Sequence, residues 1–259
     1  MIDQTFLHCP GVGQKTEARL KSLGFLSWQD CLDRSNDLPF SHSRKQLFLH
    51  AIENSLAALQ KMDLAYLSCH LPTREHWRIL AQYFPEATFF DIETTGLSSY
   101  DSFTTVIAAY HKQELQTFVY EENLGDFLQL VDQSKLLVAF NGNSFDIPFL
   151  EKSFNIPVIG CPHIDLRWIF YHRGYTGGLK AIEKQLAIHR PAAVRSVDGR
   201  EAVLLFNRWQ SGDSSARIKL IRYCQTDVLA TYLSAGRLLQ KIGIIYPLPT
   251  TKELFEKMV

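Results

Sequence analysis

Two acids interrupt the apolar run Phe89-Phe90-Asp91-Ile92-Glu93-Thr94-Thr95-Gly96-Leu97. Successive side chains of an extended strand point to opposite faces, so Asp91 and Glu93 share one face while Phe90 and Ile92 share the other. Like charges this close repel, and a partly buried strand holds them best around a hard divalent cation such as Mg²⁺ or Mn²⁺, which prefers oxygen ligands. An exposed edge strand with two solvated acids is the other reading of the same spacing. Further along, Asp146 falls in the first turn of an expected helix, where the N-terminal dipole favours its charge and where helix capping alone would also explain it. Tyr223 and Asp227 are four apart and so lie on one face of a later helix. Leu220, Val228 and Tyr232 point the same way, so that face packs inward and its acid and phenol need a reason.

The elements that must position these residues follow from periodicity. Thr104 to Tyr110 and Leu115 to Tyr120 read as a pair of antiparallel strands around residues 111–114. A helix over 123–133 and a short buried strand over 135–140 come next. The turn Asn141-Gly142-Asn143-Ser144-Phe145-Asp146 then opens a helix from Ser144 to Phe154. Later helices are expected over 165–171, behind Gly177-Gly178, from about Asp198 to Gln210, and from Asp213 to Gln240. This order predicts an α/β fold, a mixed sheet with helices packed on it. Ligands cluster at the carboxyl ends of strands in such sheets, which is where Asn141 to Asp146 falls. His163 and Asp165 are within reach of a metal or form a helix cap with its neighbour. Gly177, Gly178 and Lys180 offer an approach to phosphate or a plain loop-to-helix junction.

Toward the N-terminus, Pro10-Gly11-Val12-Gly13-Gln14-Lys15-Thr16 enters a short helix over 14–23. Its two glycines permit positive φ and leave backbone amides beside a helix start, a small concavity for an anion such as a backbone phosphate. An ATP-type phosphate loop is excluded, because that motif needs Gly directly before Lys and Gln14 intervenes. A tight helix corner without a ligand remains the other reading. Ser43 to Met62 is an amphipathic helix, Leu71-Pro72-Thr73 a hinge, and a helix follows from Thr73 or Arg74 to Tyr83. The expected organisation is a small all-α domain over 1–70, an α/β domain over 71–240 and a tail over 241–259.

The composition is that of an ordinary soluble protein, with 27 basic and 27 acidic residues and 46% hydrophobic side chains. A nucleic-acid partner would therefore be held by local chemistry, not by a strongly positive surface. Residues 1–70 carry seven bases against seven acids, so the small domain is no basic arm. The first residues lack a basic and apolar leader pattern and no stretch suits a membrane span, so a cytoplasmic location is expected. Five scattered cysteines without a C-x-x-C pair point to free thiols.

The segment Gly11-Val12-Gly13-Gln14-Lys15-Thr16 resembles the helix-hairpin-helix motif of DNA repair and processing proteins. That resemblance implies sequence-independent contacts to phosphates through Gly11, Val12, Gly13, Lys15 and Thr16. The ordered set Asp91, Glu93, Asp146, Tyr223 and Asp227 resembles the DEDD superfamily of 3′→5′ exonucleases on a ribonuclease H-like fold, in its tyrosine branch. Arg222 stands where the histidine branch would have its histidine. Closer still is the bacterial YprB-type ribonuclease H-like domain family, through Asp-Ile-Glu-Thr-Thr-Gly-Leu (91–97), Phe-Asn-Gly-Asn-Ser-Phe-Asp (140–146), His163-Ile164-Asp165-Leu166, residues 177–183 and Tyr223-x-x-x-Asp227. The resemblance covers about residues 72–240.

It implies two divalent ions, Mg²⁺ or Mn²⁺, with Asp91 bridging them and Glu93, Asp146 and Asp227 completing the ligands. Tyr223 would orient the attacking water. Thr95, Gly96 and Leu97 would hold the terminal nucleotide, with Asn143 and Lys180 also on the nucleic acid. The implied partner is a single-stranded or frayed DNA or RNA end, and the products are nucleoside 5′-monophosphates. A nucleic-acid-binding module that keeps the fold with weak or no catalysis is the alternative, followed by a scaffold or an endonuclease.

Overall fold

The computed structural model of the protein describes residues 1–258 and forms two compact units, Met1–Gln82 and the chain from Tyr83 onward. The first unit is all helical: α1 (Gln14–Ser22), α2 (Trp28–Asp33), α3 (His42–Gln60), α4 (Leu64–His70) and most of α5 (His76–Tyr83). Its core forms around Phe6, Trp28 and Phe48, all fully buried, with the Trp28 indole donating to the Thr5 carbonyl at 2.6 Å. Glu17 ties the N-terminal segment to α1 by accepting from the Phe6 amide at 2.7 Å and the Thr5 hydroxyl at 2.8 Å. The short helices α2 and α4 are absent from the periodicity reading, because six or seven residues carry under two turns of pattern. Each is set by its cap, Ser27 in a capping box with Asp30 and Asp63 accepting from the Tyr66 amide.

The boundary between units falls at Gln82, beyond the expected hinge at 71–73. The reason is α5: the His76 ring hydrogen-bonds the Leu71 carbonyl at 3.0 Å, and Arg78 donates to the Met1 carbonyl at 2.8 Å, so this helix is anchored in the first unit.

In the second unit a five-stranded sheet has the order β3-β2-β1-β4-β5. Its strands are β1 (Thr88–Thr94), β2 (Thr104–His111), β3 (Glu114–Val119), β4 (Leu137–Ala139) and β5 (His163–Asp165). Pairing is antiparallel among β1, β2 and β3 and parallel between β1 and β4 and between β4 and β5. The mixed sheet expected from the element order is therefore present, with β5 as an additional strand too short to show alternation. The helices are α6 (Phe127–Gln133), α7 (Asp146–Ser153), α8 (Leu166–His172), α9 (Leu179–Gln185), α10 (Gly199–Gln210), α11 (Ser214–Lys241) and α12 (Thr251–Phe255).

Strand β1 is the central one, and its two faces have different jobs. Phe90 and Ile92 enter a core with Phe127, Leu130, Ile147 and Leu150 from α6 and α7. On the opposite face Phe89 meets Tyr232 of α11 edge-on at 5.2 Å, and Asp91 and Glu93 continue that face toward the strand's end. Acids on a central strand thus lie under a helix, which rules out the exposed-edge reading of their spacing.

Helix α7 starts at Asp146 instead of Ser144, because Asn141 turns the chain with φ +69° and Phe145 is non-helical before the first turn. Residues beyond 240 do not stand apart as a tail: Leu254 and Phe255 of α12 are buried, and the Thr226 hydroxyl of α11 contacts the Met258 sulfur at 3.3 Å. Among the described residues no helix is long and apolar enough to cross a membrane, and the five cysteines are free thiols.

Candidate active site

The face of β1 that carries Asp91 and Glu93 ends at a bulge. Glu93 pairs with Val106 but Thr94 pairs with Thr104, leaving Thr105 as the extra residue, whose hydroxyl donates to the Glu93 carbonyl at 3.1 Å. A bulge bends the strand and ends regular pairing, so residues 94–97 peel away from the sheet just after the second acid. The Thr94 hydroxyl closes this turn on the Gly96 carbonyl at 2.6 Å. Gly96 lies close to Ser102, whose hydroxyl would be 2.5 Å from a Cβ at this position and would have to rotate away.

Asp146 reaches the same place from the start of α7, where its own backbone amide and that of Ile92 in β1 favour the charged carboxylate. Tyr223 and Asp227 arrive from α11, one turn apart. The result is a pocket of about 170 Å³ lined by Asp91, Glu93, Asp146, Tyr223 and Asp227, with Thr94, Gly96, Leu97, Asn141 and Phe145 at its rim and Gly199 and Val203 of α10 beside it. Glu93, Asp146, Tyr223 and Asp227 are buried and Asp91 is half-buried. Leu97, 85% exposed, stands beside the pocket as an unsupported apolar tip.

Desolvation dominates the electrostatics. Burial raises the Asp146 carboxyl to about 7. Burial, then the charges of Asp227 and Asp146, pushes Asp91 and Glu93 well above the usual carboxylate range. Asp227 is also raised by burial, with Arg190 and the Tyr223 hydroxyl pulling it back. Tyr223 rises above its ordinary value through burial and then the three acids Asp227, Glu93 and Asp91, so it remains a phenol.

Arg190 is a member of this site that pattern reading missed. It forms a buried two-point pair with Glu183 of α9, at 2.7 Å from Nε and 2.5 Å from Nη2, and an ion pair with Asp227. Its guanidinium also lies 5.9 Å from the Tyr223 ring centre. Nothing in His189-Arg190-Pro191 distinguishes a buried arginine from a surface one; a run that is otherwise a loop carries no periodic signal. Cys224 was missed as well: its sulfur lies 3.4 Å from the Asp91 carbonyl oxygen.

Several expected nucleic-acid residues are placed otherwise. Thr95 does not line the pocket; its hydroxyl accepts from the Phe103 amide at 3.1 Å and fastens the loop, while Thr94 lines the pocket. Asn143 is replaced at the rim by Asn141, two residues earlier in the same turn. The Lys180 ammonium hydrogen-bonds the Val197 carbonyl and lies 5.4 Å over the Tyr223 ring, near the site without lining it. Asp165 accepts from the amides of Asn141, Asn143 and Arg167 at 2.8, 3.3 and 2.9 Å, so it organises the turn and caps α8 instead of facing a metal.

In the first unit, Gly11 has φ +71°, but Gly13 is extended at φ −101° and serves as the N-cap of α1. Val12 is buried, and Lys15 and Thr16 lie in the first turn of α1. Arg44 donates to the Gly11 carbonyl at 2.7 Å, a contact between positions 33 apart that the loop motif does not announce. The chain before the loop contains one 3-10 turn, Ile2–Gln4, where a helix-hairpin-helix would have its first helix.

The donor set fits a hard divalent cation. Asp91, Glu93 and Cys224 each present an atom within 4.8 Å of the others, and burial raises the Cys224 thiol so that it stays protonated, leaving carboxylate oxygens as donors. Four raised carboxylates also call for more positive charge than the single guanidinium of Arg190 provides.

A family model of the RNase H superfamily matches residues 88–237, and the chain belongs to that superfamily. RNase H-like nucleases generally use divalent metals, and membership suggests nuclease activity on a nucleic-acid substrate. No curated protein sequence matches the chain. Among solved structures, the family B DNA polymerase from the hyperthermophilic archaeon Pyrobaculum calidifontis is similar at 18% identity and a TM-score of 0.49, over 60% of this chain and 24% of that one. The chain thus spans about a quarter of the polymerase's length.

Proposed function

We propose that the protein is a divalent-metal-dependent 3′→5′ exonuclease of the tyrosine-bearing DEDD type, close to the YprB-type domains, that releases nucleoside 5′-monophosphates from single-stranded or frayed ends. The observation that carries the reading is the convergence of four carboxylates and a tyrosine, from β1, α7 and α11, in one pocket. Asp91, Glu93, Asp146 and Asp227 would hold two ions, Mg²⁺ or Mn²⁺. When bound, such ions supply the charge that lowers the pKa of a water and stabilises a leaving oxygen.

The chain's own residues do the positioning. Tyr223, kept protonated, orients the attacking water through its hydroxyl and is a poor base at neutral pH. Gly96 lets a nucleotide approach the backbone and Leu97 offers its exposed side chain to a base. Lys180 lies near enough to the pocket to face a phosphate. The first unit grips backbone phosphate through the open amides at Gly13 to Lys15, with Lys15 and Thr16 beside them.

A 5′-labelled oligonucleotide incubated with Mg²⁺ or Mn²⁺ tests this. A descending ladder that Asp91→Ala abolishes is expected; identical behaviour of the two proteins on single-stranded, frayed and RNA substrates sinks the reading. One observation favours the alternative, a nucleic-acid-binding module with weak catalysis: Arg190 already pairs with Asp227 and competes with an ion for it. Calorimetric titration separates the two, because the exonuclease takes up divalent ions and the module does not.

A further inference from the structure

Beside the carboxylate pocket opens a second cleft of about 900 Å³, and the two share Phe140 and Asn141 as lining residues. Its walls come from Arg167, Trp168 and Tyr171 of α8 and from the loop Tyr175–Gly178. Trp168 and Tyr171 are three apart on α8, hence neighbours on one face, and their ring centres are 6.0 Å apart at 84°. They remain 38% and 59% exposed, an unusual amount of bare aromatic surface for one turn of helix. Arg167 lies 5.7 Å over the Trp168 ring and spends one N–H on the Asn141 side chain at 2.6 Å. In a chain of zero net charge, residues 166–182 carry Arg167, Arg173 and Lys180 and no acid at all.

We propose that this cleft is a single-strand subsite, in which unpaired bases stack on Trp168 and Tyr171 while Arg167 meets the connecting phosphate. The proposal rests on the nucleic-acid reading of the neighbouring pocket and extends it to the nucleotides next to the one being cut. The chemistry suits an unpaired strand, because a π-face is available for stacking on a side chain only when a base leaves its own stack, and such stacking tolerates any base. The guanidinium is held by Asn141 at the boundary of the two cavities, which is where a phosphate running from one to the other would pass. Asn141 is itself fixed by Asp165 through its amide, so the boundary is built by the fold and not by a mobile side chain.

The test uses the full chain in EDTA, with fluorescein-labelled thymidine oligonucleotides read by anisotropy. Trp168→Leu and Tyr171→Leu should each weaken binding of a strand of about a dozen nucleotides roughly 10-fold and leave binding of a dinucleotide unchanged. Arg167→Ala should weaken the longer strand and flatten its salt dependence. Tyr171→Leu, at a more exposed position, covers the case in which Trp168→Leu disturbs folding. Equal binding by wild type and both aromatic variants overturns the proposal, as does equal loss for dinucleotide and longer strand. Binding that depends on the aromatics in a protein that shows no nuclease activity with either metal upholds the cleft and sinks the exonuclease reading.

Discussion

Arg190 pairs with Asp227 beside the carboxylate pocket through Nη2, the same nitrogen that together with Nε binds Glu183, and its Nη1 has no hydrogen-bond partner among the described residues. The pair balances two buried acids with one cation. Replacing Arg190 by alanine leaves Glu183 and Asp227 charged and unpaired, which is expected to cost about 3–5 kcal/mol. Thermal denaturation in EDTA should show the drop. Added Mn²⁺ should restore more stability to Arg190→Ala than to wild type, since Asp227 is then free for the ion; an equal gain in both would mean that Asp227 takes no part in metal binding.

The raised carboxyls make stability depend on pH in an unusual direction. Asp146 is pushed up to about 7, so between the ordinary carboxylate range and that value the folded chain holds a proton that the unfolded chain has released. Stability of the metal-free protein from this group is therefore lost as pH rises through the window. The melting temperature of wild type minus that of Asp146→Asn, in EDTA, should fall from about pH 4.5 to about pH 7.5. With Mn²⁺ present the same difference should rise with pH, because the ion favours the ionised form. A difference flat in both conditions would contradict the burial of this acid.

Much of the site can be read in the sequence, and the reasons it stops where it does are physical. Asp91 and Glu93 stand out because alternation on a strand forces them onto one face, and Tyr223 with Asp227 because four residues make a helical turn. Those periods survive folding. Arg190 has no such period; its place depends on a loop packing against α11. The exchange of Thr95 for Thr94 and of Asn143 for Asn141 has the same origin, since a bulge at Glu93 and a positive-φ residue at Asn141 re-aim side chains by one or two positions. Strand β5 spans three residues and is a strand only because β4 lies beside it.

Tyr223 can be tested by removing one oxygen. Tyr223→Phe keeps the buried ring beside Lys180 and Arg190 and deletes the hydroxyl that faces Asp227. For a residue that orients the attacking water, kcat should fall roughly 10²-fold or more with KM little changed. Burial and the surrounding acids hold the phenol above its ordinary value, so it does not ionise at moderately alkaline pH. The rate profiles of wild type and Tyr223→Phe should therefore run parallel from neutral to about pH 9. A limb near that pH present only in wild type would assign the tyrosine a base role instead.

The two glycines of the N-terminal loop are not equivalent, and this separates folding from binding in the first unit. Gly11 lies at φ +71° with its carbonyl held by Arg44, so Gly11→Ala strains the backbone and should cost about 1 kcal/mol of stability. Gly13 is extended, and a Cβ there meets nothing within 4 Å, so Gly13→Ala should fold as well as wild type. That methyl would nonetheless be added at the N-cap position, in the loop that leads into the open amides at the start of α1. If this loop grips phosphate, Gly13→Ala should weaken binding of a labelled oligonucleotide several-fold at unchanged melting temperature. Unchanged affinity in a protein of unchanged stability would leave the loop as a helix corner and remove the first unit from the nucleic-acid interface.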